Sequence, residues 1–373
     1  MKLFYTSLII TAIVTTICSA ISVPNSMNFL TRYLYHNISK DDNWIISPLS
    51  THLVLSLAYI GADGETAKTF RHKLLLPNQR TTASEYRTII GTLHSDKYGE
   101  LNIANYFDAY AANIDFTHNT AAAKTINDWV KEKTHDKIDS VFGANALNSN
   151  TRALLLNAIY FKGTWSSPFN EEDTHLDVFY TSETAYIIHP MMIQEGYFKY
   201  EESEDLDSKI LTMIYADPRF IMTIILPNKR TGMHHLESKL SNGFLYTDQA
   251  KKAKEHVLVR LPKFNIESTS ELEATLKEVG LQQIFSNSAN FSNMIEAESD
   301  FRISKIVQKA FIEVDEHGTE TAKVFGDQVQ RVSAKTDRRL FNADHPFMFY
   351  ISASTGRFQT ILFVGKVVSP SYK

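Results

Sequence analysis

The sequence predicts an α+β fold, with helices gathered in the first half of the chain and strands in the second. Three observations predict it. Apolar residues recur at helical spacing early, at Met27, Leu30 and Leu34 and again at Leu53, Leu57 and Ile60. Beyond residue 200 the pattern changes to short apolar or alternating runs closed by turn residues, as in Phe220–Leu226 before Pro227-Asn228. No repeat or low-complexity linker interrupts the 373 residues, so one large domain over 21–373 is expected behind a short leader.

The elements follow in chain order. A helix is expected over Ala121–Lys133, with Ile126, Trp129 and Val130 on one side. Strands are expected at Ile210–Ile214, Phe220–Leu226, Val257–Leu261, Phe347–Ile351 and Ile361–Val367. Two helices, Met233–Leu240 and Ser270–Val279, are expected between them.

Hydrophobic content of 43% and charged content of 21% are those of a globular chain. The net charge of −4 provides no whole-molecule field for nucleic acid or acidic membranes. The first twenty residues read as an export signal. Lys2 supplies the positive end, Leu3 to Ile17 the apolar stretch, and Cys18-Ser19-Ala20 the small residues before cleavage after Ala20. The run is short and Thr-rich for a membrane span, so secretion is expected. The only cysteine is Cys18, inside that leader, which removes disulfides, thiolate nucleophiles and Cys-based metal sites from the mature chain. Two sequons suit export, Asn37-Ile38-Ser39 and Asn290-Phe291-Ser292.

Catalytic signatures are absent. There is no G-x-S-x-G elbow, no P-loop, no dinucleotide fingerprint and no H-E-x-x-H. Among 13 histidines the best metal candidate is His234, with Glu237 one turn on, but two ligands do not make a site. The acidic run Glu201-Glu202-Ser203-Glu204-Asp205 reads as a solvated face. A non-enzyme with no cofactor and no metal is expected.

One stretch carries more. Phe311-Ile312-Glu313-Val314-Asp315-Glu316-His317-Gly318-Thr319-Glu320-Thr321-Ala322 resembles the hinge of the serpins. Further blocks resemble the family in family order. They are Asn43-Trp44-Ile45-Ile46-Ser47-Pro48-Leu49-Ser50 with Gly61-Ala62-Asp63-Gly64-Glu65-Thr66, and Leu154 to Trp165 with Phe169 and Thr174. Pro190-Met191-Met192, Leu261-Pro262-Lys263-Phe264 and His345-Pro346-Phe347 through Lys366 complete the set. The resemblance implies three β-sheets, surrounding helices and an exposed reactive-centre loop over about 316–341. It also implies a suicide mechanism. A protease attacks the loop and forms an acyl-enzyme through its own triad, and the cut loop then inserts into a sheet kept one strand short.

Insertion demands a permissive start and alternate side chains that suit a sheet interior. Gly318 supplies backbone freedom. With Glu320 turned to solvent, Thr319, Thr321, Lys323 and Phe325 face inward. Thr319 and Thr321 suit a strand, whereas Lys323 and Phe325 depart from the small residues of inhibitory members. The family places its scissile bond roughly fourteen residues beyond the hinge glycine. That puts the reactive bond at Arg331-Val332, an arginine suited to a trypsin-like pocket; the alternative is a solvated loop charge. Arg338 and Arg339 lie too close to the next strand to serve.

A second departure lies upstream. Asn102-Ile103-Ala104-Asn105 resembles a family strand, yet about ten positions separate Asn105 from Asp115-Phe116, too few for the helix and strand that normally follow. Such trimming is similar to viral serpins, in particular the secreted anti-fusion type of the orthopoxviruses. That resemblance implies a glycoprotein held at the infected-cell surface and virion by a viral haemagglutinin, acting near entry-fusion proteins. Two functions therefore stand open. One is inhibition of trypsin-like proteases of the plasmin or urokinase type. The other is loop-independent binding that prevents cell–cell fusion and superinfection.

Overall fold

Ser47-Pro48 shows how local chemistry starts the architecture. The computed structural model describes residues 22–36, 41–93, 112–161, 163–242, 252–294, 301–318, 338–355 and 358–372. In it Ser47 caps helix α2 (Pro48–Gly61), its hydroxyl accepting from the Ser50 N–H, while Pro48 occupies the first turn, where no N–H is needed. Helix α1 (Val23–His36) precedes it and buries Met27, Leu30 and Leu34. Helices α3 (Gly64–Lys73), α4 (Gln79–Leu93) and α5 (Asn119–Lys133) complete the helical half. In α5 Ile126 and Val130 are buried, and Trp129 packs at the cluster's edge. The leader with Ala20 and the stretch Asn102–Asn105 lie outside the described residues.

Leu57 corrects the helical reading. It is 37% exposed, at the mouth of a cleft it shares with Leu53, Ile60, Tyr86 and Ile90. Helix α2 is buried on most of its circumference, so a period-3.6 stripe does not single out its outward residue.

The strands form two hydrogen-bonded sheets among the described residues. One has three strands, β2 (Ala153–Phe161), β9 (Ile303–Val314) and β8 (Phe264–Glu271), in the order β2-β9-β8. The other has nine. Its path is β1 (Trp44–Ile46), β12 (Phe358–Val367), β11 (Phe347–Thr355), β6 (Phe220–Pro227), β5 (Ser208–Ile214), β4 (Tyr186–Ser203), β7 (Lys254–Pro262) and β10 (Arg339–Asn342). Strand β3 (His175–Tyr180) pairs β4. The nine-stranded sheet joins two of the three expected sheets. The 18-residue β4 gives its first part to β3 and β7 and its last five residues to β5.

Helix α6 (Met233–Asn242) stands where expected. The helix expected from Ser270 begins instead at Glu273 (α7, Glu273–Val279), because Ser270 and Glu271 still pair with Gln308 and Val307 of β9. Lys366 of β12 is fully buried and donates to Glu237 of α6 at 2.9 Å. That bond engages Glu237 with a cation. Among the described residues no group of three or more potential ligands could hold a metal, and no helix is long and apolar enough to cross a membrane.

Candidate functional site

The site is the seam between β2 and β9 with the turn that caps it. The two strands run parallel and pair directly, from Leu154 opposite Lys305 to Phe161 opposite Ile312. Below the seam sits the start of α2. Gln308, on the core side of β9, is 1% exposed. Its carbonyl oxygen accepts from the Ser47 N–H at 2.9 Å. Its amide donates to the Ser47 carbonyl at 2.9 Å, Ser50 Oγ at 3.0 Å and Thr51 Oγ1 at 2.7 Å. One glutamine therefore satisfies both backbone groups of a helix cap, which ties β9 to α2.

A second buried polar group lies nearby. His52 of α2 meets Ser26 Oγ at 2.6 Å and the Tyr86 hydroxyl, and Ser26 also donates to the Leu74 carbonyl. Burial holds the imidazole neutral, its pKa pushed down to about 3.

At the upper end β9 leads into a tight turn. The Gly318 N–H donates to the Asp315 carbonyl at 3.2 Å, and Gly318 takes φ of +95°. The turn is pinned to the chain beyond β2. The Trp165 N–H donates to the His317 carbonyl at 2.9 Å, its indole N–H to the Asp315 carbonyl at 3.0 Å, and the Phe169 N–H to the Glu316 carbonyl at 2.9 Å. A Cβ on Gly318 would collide with the Gly163 carbonyl oxygen and lie 2.6 Å from the Trp165 nitrogen. The glycine expected for freedom is therefore required for close approach.

Glu316 is the buried member of this hinge, at 4% exposure. Its carboxylate accepts from Lys263 Nζ and from Thr174 Oγ1, each at 2.8 Å. Burial pushes its pKa up, but the Lys263 ammonium, its own N–H and the Thr174 hydroxyl outweigh this and hold it below the usual glutamate value. Lys263 Nζ also stands 4.4 Å over the Tyr372 ring, whose hydroxyl reaches Glu313 at 3.3 Å and Asp315 at 3.4 Å. Burial, followed by those two carboxylates, pushes the Tyr372 phenol up.

The far end of the expected loop is also fixed. Arg338 pairs with Glu195 at 2.9 Å, and Arg339, the first residue of β10, with Glu255 at 2.8 Å. The expected loop over 316–341 is therefore anchored at both ends, through residues 316–318 and 339–341. Thr319, Glu320, Thr321, Ala322, Lys323, Phe325, Arg331 and Val332 lie outside the described residues. Asn290 is exposed, with its Oδ1 accepting from the Ser292 N–H at 3.0 Å, and Asn37 lies outside the described residues.

The comparisons with known proteins decide the family. The sequence model described as Serpin (serine protease inhibitor) matches residues 25–106 and 100–370. The chain belongs to the serpin family. The two matched stretches overlap at 100–106. Serine protease inhibitor 42Dd of Drosophila melanogaster is 33% identical over 367 residues, covering 90% of this chain and 95% of that protein. Antichymotrypsin-2 of Bombyx mori is 33% identical over 329 residues, covering 82% and 88%. The crystal structure of Serpin48 of Tenebrio molitor superposes with a TM-score of 0.81 at 31% identity, covering 94% of this chain and 98% of that one. The family is one of serine protease inhibitors.

Proposed function

We propose that this serpin is an exported suicide inhibitor of trypsin-like serine proteases, of the plasmin or urokinase type. One observation carries the reading: β2 and β9 pair directly, and the chain leaving Gly318 starts on top of their seam. A segment entering there runs antiparallel to both strands and exchanges one ladder of hydrogen bonds for two. The protease's own serine opens the bond after Arg331 and becomes acylated. The freed loop end then enters the sheet and carries the acyl-enzyme with it. The serpin contributes geometry and conformational free energy to this process, and catalysis is the protease's.

Mixing the mature chain with plasmin or urokinase tests the proposal. An SDS-stable adduct is expected and should vanish in Arg331→Ala. Cleavage without an adduct across a panel of such proteases overturns it.

A second reading is favoured by Lys323, Phe325 and the short interval from Asn105 to Asp115. Here the chain is a viral glycoprotein, carrying glycans at Asn37 and Asn290 and held at the infected-cell surface and virion by a viral haemagglutinin. It prevents fusion without using the loop. Thr319→Arg, which blocks insertion, should leave the anti-fusion effect intact; its loss overturns this reading.

A further inference from the structure

A small cleft beside the hinge holds two cations with no ion-pair partner among the described residues. Lys199 of β4 and Lys254 of β7 are direct cross-strand partners, so their side chains leave the same face of the sheet. Like charges in that position repel, and sheets normally avoid them. Neither ammonium has an ion-pair partner among the described residues, because the nearby acids are already engaged. Glu201 is taken by Lys252 at 2.9 Å, Glu255 by Arg339 at 2.8 Å, and Glu195 by Arg338 at 2.9 Å and His256 at 3.3 Å.

The two lysines line a cavity of about 80 Å³ together with Ser166, Ser167 and Tyr197. Both serines are exposed. Ser166 and Ser167 directly follow Trp165, whose N–H holds the hinge. Tyr197 is 63% exposed on the same strand face as Lys199, with the His256 ring 5.2 Å away and the rest of its face open to a ligand.

Two ammonium groups, two hydroxyl donors and one aromatic wall suit an anion rich in acceptor oxygens beside a flat ring. We propose that this cleft binds a tetrahedral oxyanion, a sulfate or phosphate monoester, carried on a ligand whose flat ring stacks on Tyr197. The oxygens accept from Lys199, Lys254 and the two hydroxyls, and the ring covers the tyrosine face. An anion between the two lysines offsets their mutual repulsion.

Titration calorimetry at constant ionic strength tests the proposal on the full mature chain. The probes are inorganic phosphate, inorganic sulfate and phenyl phosphate. Saturable single-site binding is expected for at least one of the two inorganic ions, and the tighter one identifies the ligand group. Phenyl phosphate should bind more tightly than phosphate, and Tyr197→Ala should remove that advantage. Lys199→Gln and Lys254→Gln should each weaken binding about tenfold, the loss of one charge-assisted hydrogen bond. Lys209→Gln, a lysine outside the cleft, serves as the control. The two cleft lysines lie outside the core, so folding of the variants is expected, and equal thermal midpoints check it. Without phosphate, Lys254→Gln should melt no lower than the parent chain, and phosphate should raise the parent's midpoint alone. Absence of saturable binding to all three probes, or unchanged binding in the Lys199→Gln/Lys254→Gln double variant, overturns the proposal.

Discussion

Lys263 and Glu316 meet at 2.8 Å, in the turn that leaves β9, with side chains only 18% and 6% exposed. Truncating Glu316 to Ala leaves the ammonium and the Thr174 hydroxyl without their acceptor, at a cost of about 1–3 kcal/mol. The hinge should loosen, and the sheet should take up a synthetic Thr319–Val332 peptide faster on native gels. The same bond predicts a pH dependence. Because the folded pKa is depressed, the stabilisation is complete above the ordinary glutamate value of 4.5 and is lost as pH falls through the lower folded value. Peptide uptake by the parent chain should therefore accelerate in that acid range, and uptake by Glu316→Ala should not.

Gly318 predicts a sharper effect from a smaller change. Gly318→Ala places a methyl against the Gly163 carbonyl and forces a side chain into φ of +95°. The strain should amount to about 1–3 kcal/mol and dislodge the turn from Trp165. Trp165 fluorescence and the onset of urea-induced unfolding should both shift, whereas Gly91→Ala, with open space around it, should leave them in place.

Gln308→Leu keeps the volume and removes the bonds. The Ser47 N–H would then be buried without a partner, at a cost of about 1–3 kcal/mol, while the Ser47 carbonyl keeps the Thr51 N–H at 3.1 Å. Chemical denaturation should show this loss. Amide exchange should show β2 and β9 separating more often, with protection falling from Leu155 to Ile159.

His52 predicts acid sensitivity of a different kind. Its folded pKa lies near 3, against 6.5 for the free side chain. Between those values the unfolded chain binds a proton that the folded chain does not, so stability falls with pH by about 1.4 kcal/mol per unit. The contribution is whole above pH 6.5 and declines below it. His52→Gln should flatten the fall of the thermal midpoint between pH 6.5 and 4.

The turn from Asp315 to Gly318 could be picked out because its residues are contiguous in the sequence. Its partners were harder to pick out. Lys263 and Thr174 were visible as family residues, but only folding brings β8, β9 and the chain after β2 to one point. Gln308 was missed although a signal existed. It is the one polar residue in the buried alternation Ile306, Gln308, Ala310, Ile312 and Val314, and a polar side chain on a core face implies a waiting partner. Lys366, the lone cation in the run Ile361–Val368, carried a similar signal. Leu57 misled because a helix buried on most sides has no single apolar stripe.

The pairing of β1 with β12 has a consequence for how the molecule is made. Trp44 lies beside Lys366, and Val368 donates to the side chain of Asn43, 325 residues away in sequence. Strands β11 and β12 fill the space between β1 and β6, so the nine-stranded sheet stays incomplete until residues 347–367 have been synthesised. Long-range closure of this kind is slow. A nascent chain must therefore carry β1 and β6 unjoined until β12 and β11 emerge to lie between them.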